Sequence, residues 1–466
     1  MENIIQQITL ELVEKIERRA FSKELSDLDR LAADIFEDCA EYARSLVQEV
    51  IQIRNTQLRE DKCFRKQEGL VLKEKERPRQ LYTKLGVIQW SRDYYYDKEN
   101  GKYAFPIDNM LGIRSYERIG DEIIAQLLTR ATEVSYAKSS DIVTGGAISR
   151  QSVHNHLLKA DIPEKQPKHE NKEIRELHLY ADEDHVHMQK QGKEKGKKSQ
   201  MVPLVTVTEG TETIGISRRK TIEPMHFVDE TQSAKKLWES VEGYIEKAYD
   251  VNQIERIYIH ADGGKWIQNG LETFSNVVHV MDGYHFYKEL RAISKRYPEH
   301  NVRAVILNAI EKDERRIADE YIQQLAKEDK EILKFGTYIF GNWDEIRNLI
   351  MLDIPGSCTE GQVSHILSER FSRNPMGWSK TGLGKLSKLR VYSLNGGKLT
   401  GRHLKAQRYE KYSEYAERYI TENVIGAVDW SMFEPEMAIM DGNSGTQSLM
   451  RGYGINHGII GGNLLS

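Results

Sequence analysis

The sequence predicts a multidomain α+β protein, with an N-terminal helical and helix-turn-helix region ahead of an α/β core that carries a helical insertion. Three observations lead there. Apolar residues recur at helical spacing through residues 1–65 and again through 116–160. From residue 176 onward, short apolar runs follow one another as hairpins, then give way to a helical run and further strands. A chain of 466 residues is also too long for one simple core.

In the N-terminal helical region, residues 1–65, Ile4, Ile8, Leu12 and Ile16 repeat at i+4. Leu28, Leu31, Ile35 and Phe36 resume the pattern after a polar break, as expected of a packing or oligomerisation element. Residues 66–115 form a small β-rich region in which Lys84–Tyr96 alternates apolar and polar positions. Aromatics there stand beside Arg77, Arg79, Lys84 and Arg92, which suits either a DNA clamp or a hairpin that buries its tyrosines. Residues 116–160 read as three helices, Tyr116–Thr132, Ser135–Val143 and a third that Ser149 caps after the break at Gly145-Gly146. That layout is a helix-turn-helix, with Arg150, Gln151 and Asn155 placed to reach base edges and phosphates. A polar linker with two prolines, 161–175, follows.

The core begins at 176–283, with strands expected near 176–189, 201–208, 213–222, 254–261 and 277–281 and a helix over 231–249. A basic hairpin loop bearing Lys193, Lys197 and Lys198 joins the first two strands. Hairpin strands, a helix and then another strand is the ribonuclease-H-like order. Residues 284–352 read as a helical insertion, 353–380 as a core helix carrying a glutamate, and 381–466 as a basic C-terminal region.

Three acids stand where metal-dependent phosphoryl transfer needs them. Asp182 lies in a strand-like run, Asp262 ends another and is followed by Gly263-Gly264, and Glu360 opens an amphipathic helix. Mg²⁺ prefers oxygen ligands and is held by few carboxylates, the rest of its shell being water and substrate phosphate. Two such ions, about 3.5–4 Å apart, activate an attacking oxygen and stabilise a leaving one. Val363, Leu367 and Phe371 share the face of Glu360 and would pin its helix to the sheet. Asp184, two residues beyond Asp182, shares its strand face and competes for the first position. Asp282 and His285, spaced i and i+3 at a strand-to-helix junction, are accessory candidates.

Composition narrows the classes. No run approaches the roughly 20 apolar residues of a membrane span. The N-terminus lacks the layout of a signal peptide, and Cys39, Cys63 and Cys358 form no motif, so a reducing cytoplasm is expected. The net charge of −4 hides an acid-free stretch from Phe371 to Tyr409 with nine Lys and Arg, among them Lys385, Lys388 and Arg390. A polyanion partner accounts for it through counterion release.

These residues together resemble bacterial insertion-sequence DDE transposases of the ISLre type, and more distantly Mutator-like transposases. The resemblance spans nearly the whole chain. Its carriers are Leu85-Gly86-Val87-Ile88, Arg92-Asp93-Tyr94-Tyr95, Ser149-Arg150-Gln151-Ser152-Val153 and Tyr180-Ala181-Asp182. They continue with His260-Ala261-Asp262-Gly263, Asp282-Gly283-Tyr284-His285, the block Thr359 to His365, and Asn374-Pro375-Met376-Gly377-Trp378-Ser379. The resemblance implies a ribonuclease-H-like domain using Asp182, Asp262 and Glu360 with two Mg²⁺ (or Mn²⁺) ions. It implies cleavage at element ends and joining of the freed 3′-OH to target DNA. The expected partner is double-stranded DNA, bound by a homo-oligomer at the nucleoid. A metal-dependent nuclease without strand transfer and a non-catalytic helix-turn-helix regulator are the alternatives.

Overall fold

The computed structural model describes residues 2–21, 27–189, 199–215, 219–327, 329–352, 354, 359–373 and 376–405. The chain opens on α1 (Glu2–Ala20) and α2 (Leu28–Glu60), then α3 (Lys62–Gln67). Asp27 caps α2 by accepting the Arg30 N–H at 3.1 Å. The first two helices run antiparallel, clasped by Arg19 on Asp34 and Asp38 and by Lys15 on Glu41. An antiparallel sheet follows, β1 (Leu70–Thr83), β2 (Gly86–Asp97) and β3 (Lys102–Ala104). It is tied to α2 through the Arg59 guanidinium, which grips the fully buried Asp93 at 2.6 and 2.9 Å. The tyrosines divide: Tyr95 is buried in the hairpin's core, while at its side Tyr103 stacks on Tyr94 and meets Tyr96 edge-on.

After α4 (Pro106–Met110) come three short helices, α5 (Asp121–Ala131), α6 (Tyr136–Thr144) and α7 (Arg150–Lys159). Ser135 and Ser149 cap the last two through their hydroxyls, and Gly145 ends α6 in the left-handed region, φ +58°, where a Cβ is disfavoured.

The main sheet uses β4 (Glu176–His187), β5 (Ser199–Thr208), β8 (Met225–Phe227), β9 (Arg256–Ala261) and β10 (Val277–Met281), while β6 (Thr211–Thr213) and β7 (Arg219–Thr221) pair only with each other. The spatial order is β10-β9-β4-β5-β8; β5 runs antiparallel to both its neighbours, β4 and β8, and β9 and β10 run parallel to β4. The third strand expected over 213–222 is therefore corrected. That run is polar and charged and forms the separate β6–β7 ribbon, whereas Met225 supplies the buried side chain a sheet edge needs. The exposed edge of β8 is closed by Asn395, whose amide bonds both the N–H and the C=O of His226.

The period-two alternation of β4 and β9 sorts the two faces. Leu177, Leu179, Ala181, Ile257 and Ile259 share a core with Leu237, Trp238, Val241 and Ile245 of α8 (Ala234–Ala248) and with Leu271 of α9 (Gln268–Thr273). Each buried Leu, Ile or Val side chain among these stabilises the fold by about 1.5–3 kcal/mol. The opposite face carries His178, Tyr180, Asp182, Asp184 and Val186. Helices α10 (Gly283–Arg296), α11 (Val302–Glu311), α12 (Arg315–Leu325), α13 (Ile332–Gly341) and α14 (Trp343–Met351) form their own core beside β10. The chain then enters α15 (Thr359–Val363), a π-helical turn at Ser364–Ser368, α16 (Glu369–Phe371) and α17 (Lys380–Leu394). These share one core with α5, α7 and the Val186, Val202 and Leu204 end of the sheet.

Candidate active site

Strand register assembles the site. Tyr180 pairs with His260, and Met281 pairs with Ala261, so Asp182, Asp262 and Asp282 follow at one level on three adjacent parallel strands. The Asp282 N–H extends the pairing to the Ala261 carbonyl at 2.8 Å. Asp182 is buried at 7% exposure and Asp282 at 1%. Burial pushes the Asp182 carboxyl up to about 7; the Glu183 N–H and the His285 charge oppose this, while the negative charges of Asp262 and Glu183 add to it. The Asp262 carboxylate is aimed by the Gly264 N–H at 3.0 Å. Gly263 makes that turn possible: its φ is +89°, and a Cβ there would lie 2.6 Å from the Asn342 Oδ1.

Asp282 occupies the N-cap position of α10, yet its side chain does not cap the helix. It instead holds the His285 Nδ1 at 2.7 Å. The hydrogen bond to Asp282 is the main cause that raises the His285 pKa; burial lowers it, and the charges of Asp282, Asp182 and Asp262 raise it further. The imidazole therefore stands half-exposed and inclined to be cationic beside two acids of the level. Tyr338 of α13 lies near Asp282 and Asp262. Burial, then the charges of Glu289, Asp282 and Asp262, push its hydroxyl upward. Sequence offered no signal for Tyr338, because its relation to the acids depends on how the helical insertion folds back.

The backbone of Glu360 lies in α15, which packs on β4, the strand of Asp182. The Glu360 side chain lies outside the described residues. The stripe that was expected to anchor this helix is buried, with Val363 at 6%, Leu367 at 0% and Phe371 at 1%. Asp184 accepts a hydrogen bond from the Ser372 hydroxyl, which ties it to the end of α16. Glu183 faces the other way and accepts the Trp266 indole N–H at 2.5 Å. Among the described residues no group of three or more His, Cys, Asp or Glu is arranged to hold a metal ion. The donor chemistry of the Asp182 and Asp262 pair nevertheless fits a hard cation. One carboxyl is desolvated and repelled by the other, a cost that a bound positive charge relieves.

The other candidates divide. Arg150, Gln151 and Asn155 are exposed on α7, with the Gln151 amide bonding the Asn155 Oδ1 at 2.9 Å. Lys193, Lys197 and Lys198 lie outside the described residues. The basic stretch does not form one exposed face on α17. Lys385 donates to the Ala160 carbonyl at 2.8 Å and pairs with Glu230, and Lys388 pairs with Glu164 at 3.7 Å. Arg390 is buried and donates to the carbonyls of Ile366, Thr132 and His365. The acid-free run in sequence is not an acid-free surface in the fold, because acids and carbonyls distant in sequence supply its partners.

The described residues contain no helix long and apolar enough to cross a membrane. Relatives of this chain include a UPF0236 protein of Caldanaerobacter subterraneus subsp. tengcongensis, 35% identical over 383 residues, covering 80% of this chain and 79% of the relative. That one protein carries eleven locus designations in its genome. A second UPF0236 protein of the same organism is 34% identical over 382 residues, with 80% of each chain covered. Among solved structures, the Drosophila P element transposase strand transfer complex aligns over 70% of this chain and 95% of that one. Its identity is 11% and its TM-score 0.21, too low to bear on fold or function. The model of the uncharacterised protein family UPF0236 matches residues 21–408, and the chain belongs to that family.

Proposed function

We propose that this protein is a DDE transposase: it cleaves DNA strands at insertion-sequence ends and transfers the 3′-OH into target DNA. The observation that carries this reading is the register that sets Asp182 and Asp262 at one level on adjacent parallel strands, with the helix of Glu360 packed on the same β4. The order β8-β5-β4-β9-β10, three antiparallel strands followed by two parallel ones, supports a ribonuclease-H-like core. Eleven locus designations for one relative are what a sequence that copies itself leaves in a genome.

Asp182, Asp262 and Glu360 would hold two Mg²⁺ or Mn²⁺ ions. Bound there, the ions would supply Lewis-acid stabilisation of the attacking and leaving oxygens. The chain's own residues contribute placement. Gly264 aims Asp262, Asp282 holds His285 beside the acids, and the π turn after Glu360 packs against β4. Exposed Arg150, Gln151 and Asn155 on α7 would meet the duplex in this reading, as a homo-oligomer assembles on paired ends in the cytoplasm.

The test uses the full chain with duplexes bearing the DNA that flanks its gene, and separately with pre-cut ends and a target plasmid. Mg²⁺-dependent nicking and joined products, both lost in Asp182→Asn and Asp262→Asn proteins that still bind the ends, are expected. Cleavage without joining would reduce the reading to a nuclease. Binding with no cleavage under any divalent ion would leave only a DNA-binding protein.

A further inference from the structure

A cleft of about 530 Å³ opens between α6, α7 and the segment that leads into α17. It lies away from the acids: Trp378 bridges to Met188, six residues beyond Asp182 on the extension of β4, about 20 Å along an extended strand. Its walls include Tyr136, His154, Met376 and Trp378, and Arg150 and Gln151 of the α7 first turn stand at it as exposed polar groups. The volume falls in the range of about 300–1,000 Å³ typical of small-ligand sites.

Three features of the walls point to a flat heteroaromatic ligand. The indole of Trp378 is fixed: its N–H donates to the Phe371 carbonyl at 3.1 Å, and the buried Arg370 guanidinium stacks 4.8 Å from its ring. Tyr136 and His154 sit with ring centroids 5.6 Å apart and add a second aromatic wall. Among the described residues the Tyr136 hydroxyl, though buried, has no hydrogen-bond partner, a cost that a ligand acceptor would offset. Burial pushes that hydroxyl up to about 12, so it stays a donor at neutral pH.

We infer that this cleft takes one unpaired nucleobase, stacked among Tyr136, His154 and Trp378 and hydrogen-bonded by the Tyr136 hydroxyl, with Arg150 on the adjoining phosphate. Bases out of the helix are bound by this combination of stacking and edge hydrogen bonds. The occupant rests on the proposed DNA reading, because Arg150 and Gln151 belong both to the cleft and to the candidate DNA-binding helix. A base in a DNA strand and a free nucleotide share the chemistry, and the exposed Arg150 and Gln151, shared with the candidate DNA-binding helix, favour the strand.

The experiment titrates the full-length protein, without divalent metal, into two duplexes of one sequence: one fully paired, one with a single unpaired 2-aminopurine. The bulged duplex should bind about tenfold tighter, with the probe's fluorescence quenched by stacking. Tyr136→Phe and His154→Ala should each shrink that preference at least threefold while leaving affinity for the paired duplex unchanged. Tyr136→Phe removes one oxygen and keeps the ring, so a folding defect does not confuse the result. Equal affinity for both duplexes, or an undiminished preference in both variants, overturns the cleft assignment and leaves the transposase reading standing. Absence of binding to either duplex overturns both. Full displacement of the bulged probe by free deoxynucleoside monophosphate at equal base concentration would overturn the strand as source.

Discussion

The guanidinium of Arg390 donates to the carbonyl of Thr132 at 2.7 Å, and its Nε reaches the carbonyl of Ile366 at 2.5 Å. One side chain thus joins the end of α5 to the π turn that follows Glu360. Arg370 works beside it, bonding Ala131 and Val134. A π turn disturbs the regular i−4 ladder, so its carbonyls welcome an outside donor. Replacing Arg390 with Ala should cost at least about 3 kcal/mol, since several buried acceptors lose their donor. Lys should rescue little, because an ammonium lacks the planar fork. Chemical denaturation of both variants measures this, and a loss under about 1 kcal/mol for Ala would mean that water replaces the guanidinium.

Removing either acid from the aligned pair should act on metal binding before any chemistry is considered. Wild-type protein should gain a few degrees in Tm with millimolar Mg²⁺, by mass action on the folded state. Asp182→Asn and Asp262→Asn should lose that gain. Cleavage in each should fall by several kcal/mol of transition-state stabilisation, on the order of a thousandfold. A Mg²⁺ shift that persists in both variants would place the ion elsewhere.

Gly263 leaves no room for a side chain. Gly263→Ala should destabilise the protein by about 1–3 kcal/mol, combining a φ of +89° with the approach to Asn342. Asn342→Ala would relieve the clash but not the backbone strain, so the double variant should recover only part of the loss. Full recovery in thermal melts would show that the positive φ costs nothing here.

Two kinds of histidine give opposite pH signs. Burial holds His226 down to about 4 and His260 down to about 3, and lowers His178. A folded pKa below the unfolded value means that the unfolded chain binds more protons, so their contribution is complete above about 6.5 and drains away as pH falls towards 4. His285 is raised by Asp282, so its contribution is complete below about 6.5 and is lost as pH rises through its folded value. Melts across pH 4–8 should therefore show His226→Gln flattening the acid limb and His285→Gln flattening the alkaline one. Identical profiles for wild type and both variants would contradict these assignments.

On α7, Arg150→Ala and Asn155→Ala should relax preference among end sequences, at about 1–3 kcal/mol per lost base contact. Lys385→Gln and Lys388→Gln, already paired inside the protein, should change the salt dependence of DNA binding by less than the roughly 0.9 per phosphate contact of an exposed lysine. Competition binding across salt concentrations separates the two groups, and a full slope change for Lys388→Gln would show that it leaves Glu164 for DNA.

The sequence by itself determined the local elements. Helical periodicity, the Ser149 cap, the Gly145 stop and the alternation of β4 and β9 depend on neighbours within a few residues, and all are legible without a fold. The Val363, Leu367 and Phe371 stripe was legible for the same reason, since helical spacing alone puts those side chains on one face. Tertiary structure decided everything that rests on register and long-range partners. Whether Asp182, Asp262 and Asp282 share a level depends on how three strands slide past one another. The sheet edge went to Met225–Phe227 because burial there outweighed the polar run before it. Arg390 was drawn inward by carbonyls up to 258 residues away, which no count of nearby charges reveals. Backbone propensity is a local energy, whereas desolvation and pairing of charged groups depend on what the fold brings beside them.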